Sequence, residues 1–463
     1  MKLERVLGAG AGVVALAIGL GLTRCGNSEP ARAPNVVLIV MDTVRADHVS
    51  CYGYARRTTP NVDRFAAGAD RYTLARSTAP WTLPSHASLF TGRFAFEHGA
   101  DSRKQPDGTI SDGWPLGDDQ TTLAETLQSE GYRTGAFAAN KGYVTERNGL
   151  AQGFATFFNE RLPGPGMSAK AAAWIAEPDA KPPFFLFVNY MDAHRPYNVA
   201  PFAGTRADEL PPPPTDSPVK VLDDLCDEVF AHAEPPEPAV VQRAIDAYDL
   251  GIANLDAGAG MLLDTLKARG LYDDALIIIT ADHGEYLGEH DLVEHSKDVY
   301  EPALRVPLIV KLPRQTKGRV IDKPISLADV ARIVIGALPS DAANRHTHEF
   351  HGTNPHNEMF AELKYSRPKD LAAPWGERFD RERSALYEGR YKLIRSSDGQ
   401  HELYDLRVDP GEQHNVFGER AQDAEVLLRR FEILQSETST GANTKPPRPL
   451  TEDELKVLRE LGY

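Results

Sequence analysis

Three nearly unbroken apolar runs, each closing on acidic or imidazole residues, constrain the fold of this chain more than any other feature. They are "PNVVLIVMD" (34–42), "PFFLFVNYMDAH" (183–194) and "DDALIIITADHGE" (273–285). A strand with one solvated face alternates polar and apolar residues. A run that does not alternate reads as a strand covered on both faces, the pattern of a parallel sheet sandwiched between helices. Weaker strand candidates are "YRTGAFAAN" and "LRVPLIVKLP". In an open parallel sheet, ligands gather beyond the carboxyl ends of the strands. The three runs deliver Asp42, then Asp192 and His194, then Asp282 and His283 to that edge. A lone strand-terminal Asp often only caps a helix or turn. The adjacent Asp-His pair offers an oxygen and a nitrogen ligand and, with Asp42, suits a divalent cation.

Helical patterns separate the strands. "TTLAETLQSEG" ends at Gly131, a natural C-cap, and a long amphipathic stretch from Val240 to Arg269 closes at Gly270. Alternation of this kind predicts an α/β fold with a mostly parallel sheet flanked by helices. The 463 residues suffice for one large domain and a smaller one. The proline-rich stretches 162–182 and 201–238 read as surface excursions or linkers. The histidine-rich "NRHTHEFHGTNPHNE" reads as a solvated loop, and "SALYEGRYKLIRSSDGQHELYDL" as antiparallel strands around a turn. A capping box, Thr451 and Glu454, opens a terminal helix. The expected division is a leader at 1–25, a catalytic domain at 34–345 and a C-terminal α+β subdomain at 346–463.

The formal net charge of −15 argues against a nucleic-acid surface. At the N-terminus, Lys2 and Arg5 precede sixteen small and apolar residues, Leu7–Leu22, the form of an export signal. Cys25 follows, with Arg24 where a lipoprotein signal has a small residue. Lipidation, cleavage and an uncleaved anchor all remain open. Each places the body outside the cytoplasm, periplasmic or in the cell envelope, with membrane contact only through that N-terminal segment. The two cysteines of the body, Cys51 and Cys226, form no disulfide framework or metal spacing.

The stretch "APWTLPSHASLFTGR" (79–93) sets Thr82 ahead of a helix expected to start near Pro84 or Ser85. A helix N-terminus favours an anion. A hydroxyl there either caps the helix or, touching a metal, serves as a nucleophile.

Taken together, "NVVLIVMDTVRADHVSCYGYARRTTPNVDRFAAGA", "TLPSHASLFTGR", "YMDAHRPY", "TADHGEYLGEHDLVEHSKDVYEPALRVPLIV" and "ELYDLRVDPGEQHNV" resemble, in order, the sulfatase family of the alkaline phosphatase superfamily. The resemblance implies that family's mostly parallel sheet with a small C-terminal subdomain. It implies Asp42, Asp282, His283 and Thr82 as metal ligands, with Thr82 at the nucleophile position. His194 and Lys297 fall where the family holds the ester's anionic oxygens or leaving group. Lys141 and Thr43 fall at positions near the substrate.

The departures from the pattern bear on chemistry. A sulfatase oxidises Cys or Ser to formylglycine; Thr82 carries a methyl on Cβ and cannot form that aldehyde. His86 stands where the signature has the arginine that steadies the hydrate. Thr43 replaces the second acid of an Asp-Asp pair, and His283 replaces an Asn. One oxygen ligand fewer and one imidazole more imply Mn or Zn rather than Ca. Such substitutions resemble phosphoryl-transfer branches of the superfamily. The expected activity is hydrolysis of small-molecule, glycan or lipid esters of sulfate or phosphate, phosphoesters preferred. A phosphoethanolamine-type transferase and an inactive anion- or glycan-binding member are the alternatives. His290 and His295 are candidates for a second metal or, more simply, for ordering their loop.

Overall fold

The computed structural model describes residues 33–111, 113–177, 182–197, 225–226, 229–230, 237–350, 359–438 and 450–460. The N-terminal leader, Cys25, most of the stretch 201–238 and the end of the histidine-rich segment lie outside the described residues.

The three apolar runs form the heart of an eight-stranded sheet. In chain order its strands are β1 (Val36–Met41), β2 (Asp70–Arg76), β3 (Arg133–Ala138), β4 (Thr156–Asn159), β5 (Phe184–Tyr190) and β6 (Leu276–Thr280). After a small hairpin of β7 (Tyr286–Leu287) and β8 (Val293–Glu294) come β9 (Leu308–Lys311) and β10 (Arg319–Ser326). The strand order is β10-β2-β9-β6-β1-β5-β3-β4. Every residue of β1, β5 and β6 is buried, as unalternating sequence requires. β1 pairs in parallel with β5 on one side and β6 on the other, and β3 continues the parallel array beyond β5. β9, from "LRVPLIVKLP", runs antiparallel to both β6 and β2. The carboxyl ends of β6, β1, β5 and β3 therefore lie side by side.

The long amphipathic stretch is the helix Pro238–Ala268. Two of its glycines are contact points. A Cβ at Gly251 would strike the backbone of Asp192, and one at Gly258 would strike Gly164. Close approach of backbones leaves room there for glycine alone. The second element in that contact is the helix Gly164–Ile175, built from half of a stretch expected to be a surface excursion. Proline at its second position suits a first turn, and Met167, Ala171 and Trp174 face the core. The histidine-rich segment likewise corrects an expectation: Ser340–Phe350 is a helix, with Phe350 buried and Ala342 turned inward.

A second, antiparallel sheet follows: β11 (Met359–Leu363), β12 (Arg383–Glu388), β13 (Tyr391–Ser396) and β14 (Glu402–Asp405), in that order. The helix Ala421–Thr438 covers one face through Ala424, Leu427 and Phe431. Phe94 and Ala328 belong to the same apolar cluster, so this core is shared with the first sheet. A buried ionic knot also joins the two. Glu301 accepts from Arg76, Lys392 and the Tyr387 hydroxyl, and its own amide donates to Glu412. From Ala33 onward the chain is one compact unit.

Candidate active site

Four strand ends and one helix start converge on a small polar centre. Asp42 directly follows β1, and its amide donates to the Tyr190 carbonyl at 2.9 Å, extending the β1–β5 register. Asp282 and His283 follow β6. Asn189 lies on β5, and Asn140 just beyond β3. Thr82 opens the helix Thr82–Thr91, two residues earlier than the sequence suggested, with Trp81 as an extended N-cap. Every residue of that helix is buried.

The side chains form a ligand set with two acceptors left over. Asp42 Oδ2 accepts from Asn140 Nδ2 at 2.9 Å and from Asn189 Nδ2 at 3.1 Å, whereas its Oδ1 is buried without a partner. Asp282 Oδ1 accepts from the amides of Thr43 at 3.1 Å and His283 at 2.9 Å, and its Oδ2 is also buried and unpartnered. His283 Nδ1 donates to the Gly284 carbonyl at 2.9 Å, which leaves the lone pair on Nε2. That Nε2 lies 3.3 Å from Asp282 Oδ2 and 3.4 Å from Thr82 Oγ1. Asn140 Nδ2 also approaches Thr82 Oγ1 at 3.4 Å. Gly284 is required by packing, since a Cβ would collide with the Pro302 carbonyl.

The energetics of this arrangement favour a cation. Burial first, and then the charge of Asp282, pushes the Asp42 carboxyl up to about 7. Burial pushes Asp282 to about 7 against the pull of the Thr43 and His283 amides. Burial also lowers His283, a shift that Asp42 opposes. Unpaired buried acceptors are costly. One carboxylate oxygen from each of Asp42 and Asp282 and one ring nitrogen of His283 lie within 4.8 Å of one another, a donor set that fits a divalent metal ion.

The other sequence candidates occupy distinct places. Thr43 sits in the left-handed region at φ 62; its amide donates to Asp282, its hydroxyl donates to the Asp42 carbonyl at 2.7 Å, and its carbonyl accepts from the Tyr248 hydroxyl at 2.6 Å. The residue expected near substrate thus has all three polar groups engaged by the scaffold. His86 Nδ1 donates to the Thr82 carbonyl at 3.0 Å and lies 3.5 Å from Asp282 Oδ2. Burial drives its pKa down to about 3, so it is a neutral ring bracing the Thr82 turn, not a cation in place of arginine. Ser85, in the same turn, donates to the Asp282 carbonyl at 2.6 Å. Asp192 is absent from the ligand set: both its oxygens accept from the Gly164 amide at 3.0 Å, where it caps a helix. Lys141 is exposed; the side chain entering the centre from that segment is its neighbour Asn140.

Beside the ligand set runs a row of imidazoles. The His283 and His295 rings lie 4.7 Å apart, and those of His295 and His194 lie 5.0 Å apart. His295 Nδ1 pairs with Glu285 Oε1 at 2.9 Å, and His194 Nδ1 donates to the Arg195 carbonyl at 2.8 Å. Burial holds the pKa of His194 and of His295 well below the usual range. Beyond them Lys297 is buried and paired with Asp370 at 2.5 Å, with Glu294 at 3.5 Å. Arg195 and Arg367 both bind Glu294, and Arg367 Nε also reaches Asp370 at 2.8 Å. His290 is elsewhere, stacked on Tyr300 at 3.9 Å.

Residues 34–340 match the sulfatase family model, well over half of the chain. The chain belongs to the sulfatase family. That membership makes it a hydrolase of the sulfate-ester class. A second model, the C-terminal region of N-sulphoglucosamine sulphohydrolase, matches residues 288–436. Among curated sulfatases, the ulvan-active sulfatase of Formosa agariphila is 23% identical over 93% of this chain and 86% of its own length. The N-acetylglucosamine-6-O-sulfatase of Bacteroides thetaiotaomicron is 22% identical over 93% of this chain and 90% of its own. Among solved structures, the phosphonate monoester hydrolase of Agrobacterium radiobacter superposes with a TM-score of 0.65 at 19% identity, covering 91% of this chain and 98% of that one. The fold is therefore shared between sulfatases and a phosphonate monoester hydrolase.

Proposed function

We propose that this sulfatase-family member is a metal-dependent hydrolase of phosphate or sulfate esters, with phosphoesters preferred and Thr82 Oγ1 as the nucleophile. One observation carries the reading: the Thr82 hydroxyl opens a helix 3.4 Å from His283 Nε2, against the only His/Asp/Glu ligand cluster among the described residues. A divalent ion held by Asp42, Asp282 and His283 would lower the pKa of that hydroxyl and offset charge on the ester's oxygens. The mixed oxygen and nitrogen donors favour Mn or Zn over Ca.

The residues then divide the work. Thr82 Oγ1, its proton given up to solvent, attacks phosphorus in line with the leaving oxygen, so that a threonine–phosphate ester forms as the bond to the alcohol breaks. The departing oxygen takes a proton from Lys297. That ammonium, brought down to about 7 by burial and by Arg367, is acidic enough to give one near neutral pH. His194, a neutral ring, orients the leaving group by hydrogen bonding. Water attacks phosphorus in the second step, one of its protons returns to the neutral Lys297, and phosphate is released as the bond from phosphorus to Thr82 Oγ1 breaks. A formylglycine hydrate expels its sulfate with a second hydroxyl on the same carbon. Threonine has none, which supports hydrolysis at the central atom and favours phosphorus. The fold shared with a phosphonate monoester hydrolase supports the same preference. The N-terminal signal-like segment supports an exported protein, testable by cell fractionation.

The test is a hydrolysis panel of aryl phosphate monoesters and diesters beside an aryl sulfate, with metal analysis of the same sample. Phosphate release dependent on bound Mn or Zn is expected. Robust sulfate release without phosphatase activity overturns the preference. A sample that binds no divalent ion and turns over nothing supports an anion-binding member instead. Phosphoryl transfer to added ethanolamine in preference to water supports a transferase.

A further inference from the structure

The bend that follows β1 is held by a residue from far along the chain. The Val44 amide donates to the Met41 carbonyl at 3.1 Å, closing a four-residue turn with Asp42 and Thr43 in the middle. Of these two only Thr43 stands at positive φ, 62, in the third place of the turn, where such turns favour glycine. A β-branched residue seldom takes that conformation unless its surroundings impose it. The imposing group is the Tyr248 hydroxyl, on the helix Pro238–Ala268. It donates to the Thr43 carbonyl at 2.6 Å and accepts from the Arg45 amide at 2.9 Å, so it ties the chain on both sides of Val44 to the helix. With the carbonyl so fixed and φ at 62, the Thr43 amide meets Asp282 Oδ1 at 3.1 Å. The same stretch of helix seats the loop after β5. The Tyr248 ring meets that of Tyr197 edge-on at 5.9 Å, and Gly251 lies against the backbone of Asp192 and Ala193. Tyr248 and Thr43 are both fully buried.

We propose that Tyr248 is a positioning residue for the metal centre: its hydroxyl holds Thr43 in the left-handed bend and so aims the Thr43 amide at Asp282. This rests on the reading of Asp42, Asp282 and His283 as ligands of a divalent ion, and it adds what fixes one of them. Asp282 Oδ1 is occupied by the amides of Thr43 and His283, which turns Oδ2 into the ligand set. Thr43 therefore serves through its backbone, since its hydroxyl is engaged by the Asp42 carbonyl. Groups that orient a ligating carboxylate govern metal affinity without touching the ion. Glycine at position 43 takes the same bend without strain, which makes the Tyr248 hydroxyl dispensable.

The test is a double-mutant cycle, read by calorimetric titration of the full-length, metal-stripped protein with Mn. Tyr248→Phe keeps the ring and removes the hydroxyl. It is expected to lower Mn affinity about tenfold, as loss of a group that orients a ligand does. In a Thr43→Gly background the same substitution is expected to change affinity by less than about twofold. A residue needed only for packing would lower Tm in chelator equally in both backgrounds and leave Mn affinity alone. Unchanged affinity in Tyr248→Phe overturns the assignment alone, as does an equal loss in the two backgrounds. Should Tyr248→Phe not fold, the double variant is expected to fold and to bind Mn, and its failure to do so overturns the assignment. Wild-type protein that takes up no Mn overturns the ligand reading and this assignment with it.

Discussion

Replacing Asp42 by Asn separates what the ligand set does for stability from what it does for function. Without metal, two carboxyls whose ordinary value is 3.8 are pushed to about 7, chiefly by burial. The sign follows from linkage. A group whose folded pKa is raised holds its proton in the folded state, so the protein is most stable below the unfolded value and loses stability as pH climbs through about 7. Each pH unit of displacement is worth about 1.4 kcal/mol, so one ionised carboxylate costs about 4 kcal/mol, of which about 3 kcal/mol appears between about pH 5 and pH 8. Asn retains an oxygen to accept from Asn140 and Asn189 and carries no charge. In chelator, Asp42→Asn is therefore expected to be more stable than wild type by about 4 kcal/mol at about pH 8 and by only about 1 kcal/mol at about pH 5. With an unfolding entropy of ~2.1 cal/mol/K per residue, the difference at about pH 8 amounts to a rise of about 4 °C in Tm for a chain of this length. With Mn present the order reverses, because wild type gains binding energy that the variant has lost. Thermal denaturation at both pH values, with chelator and with Mn, measures all four cases. A variant that is destabilised equally in all of them refutes the reasoning.

Two other substitutions probe the scaffold. Asn140→Ala removes one of the two amides on Asp42 Oδ2, and Mn affinity should fall about 10- to 100-fold by calorimetry, whereas Lys141→Ala should leave it unchanged; equal effects would show that Asn140 does not orient the ligand. Glu301→Gln leaves the buried charge of Arg76 without its carboxylate, while Lys392 keeps Glu412 at 2.5 Å, and urea unfolding should show a loss of about 3 kcal/mol; a loss below about 1 kcal/mol would mean the ionic knot does not hold the two sheets together.

The sequence made the centre of the molecule legible because burial on both faces leaves a plain signature. β1, β5 and β6 are runs of large apolar residues, and the residues just past β1 and β6 make up the Asp42, Asp282 and His283 cluster. The edge strand β10, by contrast, reads "RVIDKPIS" and is mostly exposed, so no apolar pattern marks it. The Gly164 helix hid behind its prolines, whose place in the first turn is compatible with helix. Asp192 shows the limit of strand-end reasoning. It follows β5 just as Asp42 follows β1, but the helix Gly164–Ile175 brings an amide to it from elsewhere in the chain. Asn140, Asn189, Arg367 and Asp370 escaped notice for a related reason. Each acts through a partner distant in sequence, and an Asn or Arg carries no local pattern that announces such a partner. The Asn immediately before Lys141 was adjacent to the residue singled out, but a turn decides which of the two points inward.

The central claim is that the Thr82 hydroxyl bonds covalently to the group being transferred. Acid-quenched turnover of a slow aryl phosphate, followed by peptide mass analysis, tests it most directly. The account predicts a phosphoryl group on Thr82 in the peptide spanning Ala79–Arg93, absent when Thr82 is replaced by Ala, together with loss of turnover in that variant. Unlabelled Thr82 during active turnover, or full activity in Thr82→Ala, would contradict it.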